Sequence, residues 1–166
     1  HLTLLGTPDF DLPGCPPGYY NSVLVTRGDD TRSDIAAFAD APVAFNQSHS
    51  QSGWGSLYSY ASARGVTLSH LIGTGEHPAS VQALLEGRVD LACVDAHTFR
   101  LICRDTPEAR TLRVIDHTPP TPGTPYVTAL PERAEELRSK LRAAIAGLNG
   151  EDRAILCLHG LADVSH

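Results

Sequence analysis

Methionine is absent from the 166 residues, and the chain opens at His1 directly into the apolar run Leu2 to Leu5. An intact translation product starts with Met, so we expect further sequence ahead of His1. No signal peptide is visible within these residues, and no apolar run approaches the roughly 20 residues of a membrane span. Runs of Lys and Arg are lacking, and the net charge is −6 with a pI near 5.7. That balance argues against nucleic acid or an anionic membrane surface as partner. Internal repeats and low-complexity tracts are absent.

Several chemistries are missing in the same way. The four cysteines, Cys15, Cys93, Cys103 and Cys157, form no CxxC and no metal-type pairing with histidine, so no metal site is expected. Cys93 lies in a strand-like run and Cys103 about seven residues into the next helix, roughly 10 Å along its axis. Disulfide geometry needs Cα atoms within about 7 Å, so these two are expected to stay unbonded, as small buried apolar residues. Cys15 lies in a loop. Ser52-Gly53 is no part of a G-x-S-x-G elbow. Gly73-Thr74-Gly75 lacks the third glycine of a dinucleotide fingerprint, and no G-K-[ST] follows. No carboxylates are paired for acid–base work. Neither an enzyme nor a cofactor is expected.

What is present suits one domain or two small lobes, since 42% of the residues are apolar, enough for packed cores. The most informative stretch is Val43 to Gly55, V-A-F-N-Q-S-H-S-Q-S-G-W-G. Val43-Ala44-Phe45 reads as a buried strand. A hydroxyl-rich turn, Asn46 to Ser52, follows. Trp54, Leu57, Tyr58 and Ala61 then fall at i, i+3, i+4, i+7, an amphipathic helix over Gly53 to Arg64, with Gly65 at its end. The first turn of a helix carries orphan N–H groups and about half a unit of positive charge. Ser50 and Ser52 put hydroxyls beside them. The stretch reads as a site for phosphate, phosphonate or carboxylate, or as a plain serine N-cap that binds nothing.

Around this stretch the chain alternates. Leu2 to Leu5 reads as a short strand, with loop from Pro8 to Gly18. Tyr20 to Arg27 is strand-like, and Ser33 to Asp40 a short helix. After Gly65 come a strand (Val66 to Ile72), a glycine-bearing turn with Pro78 at the first helical position, and a helix carrying Val81, Leu84 and Leu85. Val89 to Val94 is a nearly continuous apolar strand. A helix with Phe99, Ile102 and Cys103 and a strand at Leu112 to Ile115 complete the alternation. From Val43 to Ile115 this alternation predicts an α/β unit with a parallel sheet. Pro119 to Pro125 reads as an irregular connector, Tyr126 to Leu130 as a strand and Leu137 to Leu148 as a helix, with a last short helix near Asp152 to His159. We expect residues 1–27 and 119–166 to pack as one partial lobe and residues 28–118 as the other.

Three polar turns, Ser48 to Ser52, Thr74 to His77 and Asp95 to Thr98, lie at strand ends, where ligands sit in open α/β sheets. His77 is a candidate donor to an oxyanion, and Asp95 a candidate acceptor. Taken singly, His77 also reads as an N-cap-region residue, Asp95 as a helix N-cap and Trp54 as core.

These residues carry a resemblance. F-N-Q-S-H-S-Q-S-G-W resembles the S-T-S-G-type turn of phosphonate- and phosphite-binding periplasmic proteins, the substrate-binding components of ABC importers. G-T-G-E-H-P-A-S-V-Q-A-L-L-E-G-R-V-D-L-A-C-V-D is similar to that family's G-x-H-x-x-S, helix, G-x-V-D-x-A segment. L-R-V-I-D-H-T-P-P-T-P-G-T-P-Y-V-T resembles its return crossover, and G-T-P-D-F-D-L-P-G-C-P-P-G-Y-Y-N-S-V the outgoing one. The resemblance implies a type II periplasmic-binding-protein fold: two α/β lobes joined by two crossover strands, ligand in the cleft, the first lobe incomplete. It implies that Ser50, Gln51 and Ser52 hold an oxyanion with His77 beside it, and Asp95 and Tyr19 or Tyr20 as further contacts. Gln51 departs from the family's usual Thr, which removes one hydroxyl. It also implies a phosphonate, phosphite or phosphate ester as ligand, an ABC permease as partner, a monomer, and a periplasmic or otherwise extracytoplasmic location, free or lipid-anchored. Two other functions compete: an effector-binding domain of a regulator with the same fold, and an enzyme. A secretory or lipoprotein signal ahead of His1 favours the first reading, a helix-turn-helix the regulator.

Overall fold

The computed structural model describes residues 1–164. Along the chain run β1 (Thr3–Asp9), β2 (Tyr19–Tyr20), β3 (Ser22–Thr26), β4 (Pro42–Phe45), α1 (Ser56–Ser62), β5 (His70–Gly73), α2 (His77–Leu85), β6 (Leu91–Asp95), α3 (Ala96–Asp105), β7 (Arg113–His117), β8 (Thr121–Pro122), β9 (Tyr126–Thr128), α4 (Ala134–Ala146), α5 (Gly150–Leu156) and β10 (Gly160–Ala162). The chain divides into two compact units, His1–Tyr20 with Pro120–His166, and Asn21–Pro119.

In the first unit β1 lies between β10 and β9, antiparallel to both. The strand runs further than the expected Leu2 to Leu5. Its second half, Thr7 to Asp9, pairs with β10 alone, and a proline such as Pro8 is tolerated on an edge. Arg138 of α4 ties helix to strand by donating to the Leu4 and Leu5 carbonyls at 3.0 and 3.2 Å. The proline-rich connector is less irregular than expected, because Thr121–Pro122 pairs with Tyr19–Tyr20.

The second unit holds a five-stranded sheet in the order β5-β4-β6-β3-β7. β4 is parallel to β5 and β6, whereas β3 is antiparallel to β6 and β7. The four strands of the expected parallel unit, β4 to β7, share one direction, and the sheet is mixed because β3 joins them from outside that stretch. No helical crossover joins β3 to β6 or β7, so nothing constrains it to their direction. The first expected lobe boundary, at Gly28, is corrected. β3 is buried at every residue and sits between β6 and β7, so the division falls at Asn21. Tyr126 to Thr128, the strand expected to share a lobe with it, pairs with β1 in the other unit.

The core of this unit joins Leu24, Val43, Leu91 and Cys93 of the sheet to Ile35 and Phe38 of a 3-10 turn and Leu57 and Tyr60 of α1. The Tyr60 hydroxyl donates to Asp116, and burial with that carboxylate pushes its pKa up to about 12. The helix expected from Gly53 to Arg64 is split: a wide π-type turn, Gln51–Gly55, precedes α1. Two glycines in that turn disfavour a regular start, and such single wide turns recur at functional sites. Gly65 ends the segment at φ +67°, a conformation that costs a residue with a Cβ. Among the described residues no helix is long and apolar enough to cross a membrane, and no group of three or more His, Cys, Asp or Glu could hold a metal ion. Cys15, Cys93, Cys103 and Cys157 are all free.

Candidate functional site

The site begins where β4 ends. Parallel pairing with β5 and β6 carries the chain out of the sheet at Phe45, and Asn46 opens the turn. Ser50 is extended (φ −80°, ψ 130°) and caps the helical segment, its Oγ accepting from Gly53 N–H at 3.2 Å. Ser52 Oγ lies 3.5 Å from Ser50 Oγ and 2.9 Å from Nε2 of His77. The Ser52 carbonyl points the other way, accepting from Ser22 Oγ at 2.6 Å and from the Cys93 thiol at 3.5 Å.

His77 arrives from the second polar turn. Gly75 N–H donates to the Asn46 carbonyl at 2.8 Å, and the Thr74 amide and hydroxyl both reach the Phe45 carbonyl. These bonds strap the turn to the end of β4 and set His77 as the first residue of α2, ahead of Pro78. Nε2 also lies 3.4 Å from Asn46 Nδ2, a donor. A neutral ring that accepts there carries its proton on Nδ1. Nδ1 is buried and has no partner among the described residues. Burial holds the His77 pKa below its ordinary 6.5, with the charge of Asp95 pulling it back up. The free imidazole is therefore neutral at pH 7.

The structure brings Ser50, Ser52 and His77 together, as the polar turns implied. Gln51 is exposed, and a Cβ at Gly55 would fall 2.8 Å from its side-chain oxygen, so its amide lies over Gly55. Asp95 takes its N-cap reading, with Oδ1 accepting from Thr98 N–H at 2.7 Å. Its charge still reaches His77. Asp95→Asn keeps the cap and removes the charge, so it is expected to lower the His77 pKa further with little change in stability. Asp95→Ala is expected to cost about 1 kcal/mol as well. NMR titration of His77 and thermal unfolding read the two effects apart. Tyr20 is half-buried on β2, in the first unit, whereas this constellation is built wholly from the second. Trp54 packs beside Phe45 and Tyr58, ring centroids 5.0 and 5.8 Å away.

Three participants escaped sequence reasoning: Asn46, Ser22 and Cys93. Asn46 stands in the same polar run, and its signal was the glycine seven positions later. A Cβ at Gly53 would overlap the Asn46 side-chain oxygen. Gly53→Ala is expected to drive Asn46 away from His77, which loses one neutral hydrogen bond and about 2- to 10-fold in ligand affinity. Calorimetry alongside the His77 titration checks this.

A half-buried serine pair, a histidine and the start of a helical segment thus meet at a strand end of the second unit. The profile of the family described as "ABC transporter, phosphonate, periplasmic substrate-binding protein" matches residues 14–165, and the chain belongs to that family. PhnD1 from Prochlorococcus marinus, solved in complex with methylphosphonate, is similar in fold at TM-score 0.77 and 15% identity, over 98% of this chain and 65% of that one. XAC2383 from Xanthomonas citri bound to ATP aligns at TM-score 0.72 and 14% identity, over 99% and 66%. PA3383 from Pseudomonas aeruginosa, a binding protein component of an ABC phosphonate transporter, aligns at 0.72 and 21%, over 95% and 55%. The chain thus spans 55% to 66% of the length of these structures. The fold is that of type II periplasmic-binding proteins. No curated protein matches the chain by sequence.

Proposed function

We propose that the chain supplies the oxyanion-binding part of an extracytoplasmic solute-binding protein, which delivers a phosphonate, phosphite or phosphate ester to an ABC permease. One observation carries this reading. Ser50 Oγ, Ser52 Oγ and His77 Nε2 converge at the first turn of a helical segment, and the other ring nitrogen of His77, Nδ1, is buried with no partner among the described residues. A buried unpaired donor costs about 1–3 kcal/mol, a cost that an arriving acceptor removes. Hydroxyls and helix-start amides favour negative charge without supplying a full positive one. Protonation of His77 adds that charge when an anion is present.

Asp95 takes part through its charge on His77 rather than as a ligand. Gln51 and Tyr20 stay as candidate contacts to the rest of the ligand. The protein acts as a carrier and leaves the ligand chemically unchanged. Calorimetry with methylphosphonate, phosphite, a phosphate monoester and methanesulfonate is the test. Saturable binding of the phosphorus oxyanions is expected, and failure to bind any of them would overturn the reading.

A further inference from the structure

We propose that Ser22, on β3, is a positioning residue that sets the anion-binding geometry of the Ser50–Ser52 turn by clamping the Ser52 carbonyl, an inference that rests on the function proposed above. Ser22 is fully buried and is held from both sides. Its N–H donates to Thr118 Oγ1 at 2.9 Å, its carbonyl accepts from Thr118 N–H at 2.8 Å, and it sits opposite Asp95 in the β3–β6 ladder. Its hydroxyl is therefore a fixed donor, aimed at the Ser52 carbonyl from 2.6 Å. Cys93, opposite Leu24 on the same sheet face, adds a weaker thiol donor to the same oxygen.

The consequence follows from peptide planarity. The Ser52 carbonyl and the Gly53 N–H belong to one rigid unit and point in opposite directions. Holding the oxygen on the sheet turns the N–H outward, where Ser50 Oγ receives it. The same clamp turns the negative end of this peptide dipole away from Ser52 Oγ and His77. A carbonyl free to swing toward them would repel an anion and release Ser50 from its cap. Strand β3 thus fixes the orientation of a loop thirty residues later in the chain.

Ser22→Ala removes the stronger donor and is expected to weaken methylphosphonate binding by about 2- to 10-fold, the size of one neutral hydrogen bond. Ser22→Cys keeps a weak donor of similar volume and is expected to fall between wild type and Ser22→Ala. The Gly53 amide resonance in the unliganded protein should shift in the same order. The experiment is calorimetry with methylphosphonate on wild type, Ser22→Ala, Ser22→Cys, Ser52→Ala and the Ser22→Ala/Ser52→Ala double variant. Thermal melts alongside confirm that each is folded. Because Ser52→Ala keeps the clamped carbonyl, the Ser22→Ala loss should persist in the double variant. Equal affinity for wild type and Ser22→Ala, with Ser52→Ala impaired, overturns the clamp and leaves the proposed function standing. A Gly53 amide resonance that stays unmoved in Ser22→Ala overturns it as well, by making Ser22 a general stabiliser. A wild-type protein that binds none of the oxyanions overturns the functional reading itself, and the clamp with it.

Discussion

Ser52→Ala is expected to weaken oxyanion binding by roughly 10- to 150-fold, which is about 1.5–3 kcal/mol for one hydrogen bond to a charged acceptor. The Ser52 hydroxyl lies 2.9 Å from His77 Nε2 and 3.5 Å from Ser50 Oγ, so it joins the donors of both turns. Its loss leaves the ligand short of one donor and removes the partner of the histidine. The effect on folding should be small, because Ser52 holds the sheet through its carbonyl, which alanine keeps. Titration calorimetry with methylphosphonate measures it. Binding left unchanged by the substitution would mean that the turn only caps a helix.

The second large effect concerns His77 and pH. Because burial holds the folded pKa below 6.5, the unfolded chain binds more protons than the folded one between that lowered value and 6.5. The free protein should therefore lose stability as pH falls through this window, and His77→Gln should remove the loss. A bound anion acts in the opposite direction: it favours the protonated ring and raises the pKa. Affinity should rise as pH is lowered toward the free protein's His77 pKa, by up to about 10- to 150-fold for one charged hydrogen bond. Methanesulfonate, which keeps a single charge throughout, separates this from the ligand's own titration. A wild-type pH profile that matches that of His77→Gln would rule out His77 as the proton-linked donor.

The strand at Val43, the polar turn and the helix behind it were legible because their signals are local. A buried strand is a short apolar run, and an amphipathic helix repeats at i, i+3, i+4 and i+7 whatever it packs against. His77 was legible for the same reason, as a polar residue at a turn before a helix. The wide turn at Gln51–Gly55 was not, since the helical periodicity continues through it from Trp54. Pro8 and the Pro119 to Pro125 segment misled in the other direction. Proline disfavours interior strands but tolerates an edge, and which strand lies at an edge depends on the partner.

By itself, then, the sequence determined the residue types at the site, the order of strands and helices around it, and the motif set shared with the phosphonate-binding family. It left open which strands lie side by side. Ser22 and Ser52 are thirty positions apart and meet at 2.6 Å only because β3 enters the sheet between β6 and β7, against the direction of both. No local pattern encodes that pairing, because sheet neighbours are selected by burial of whole strand faces across long stretches of chain. The same long-range packing buries His77 near Asp95 and so sets its protonation. The chemistry of the site was written in the chain, and the tertiary structure decided how it is aimed and charged.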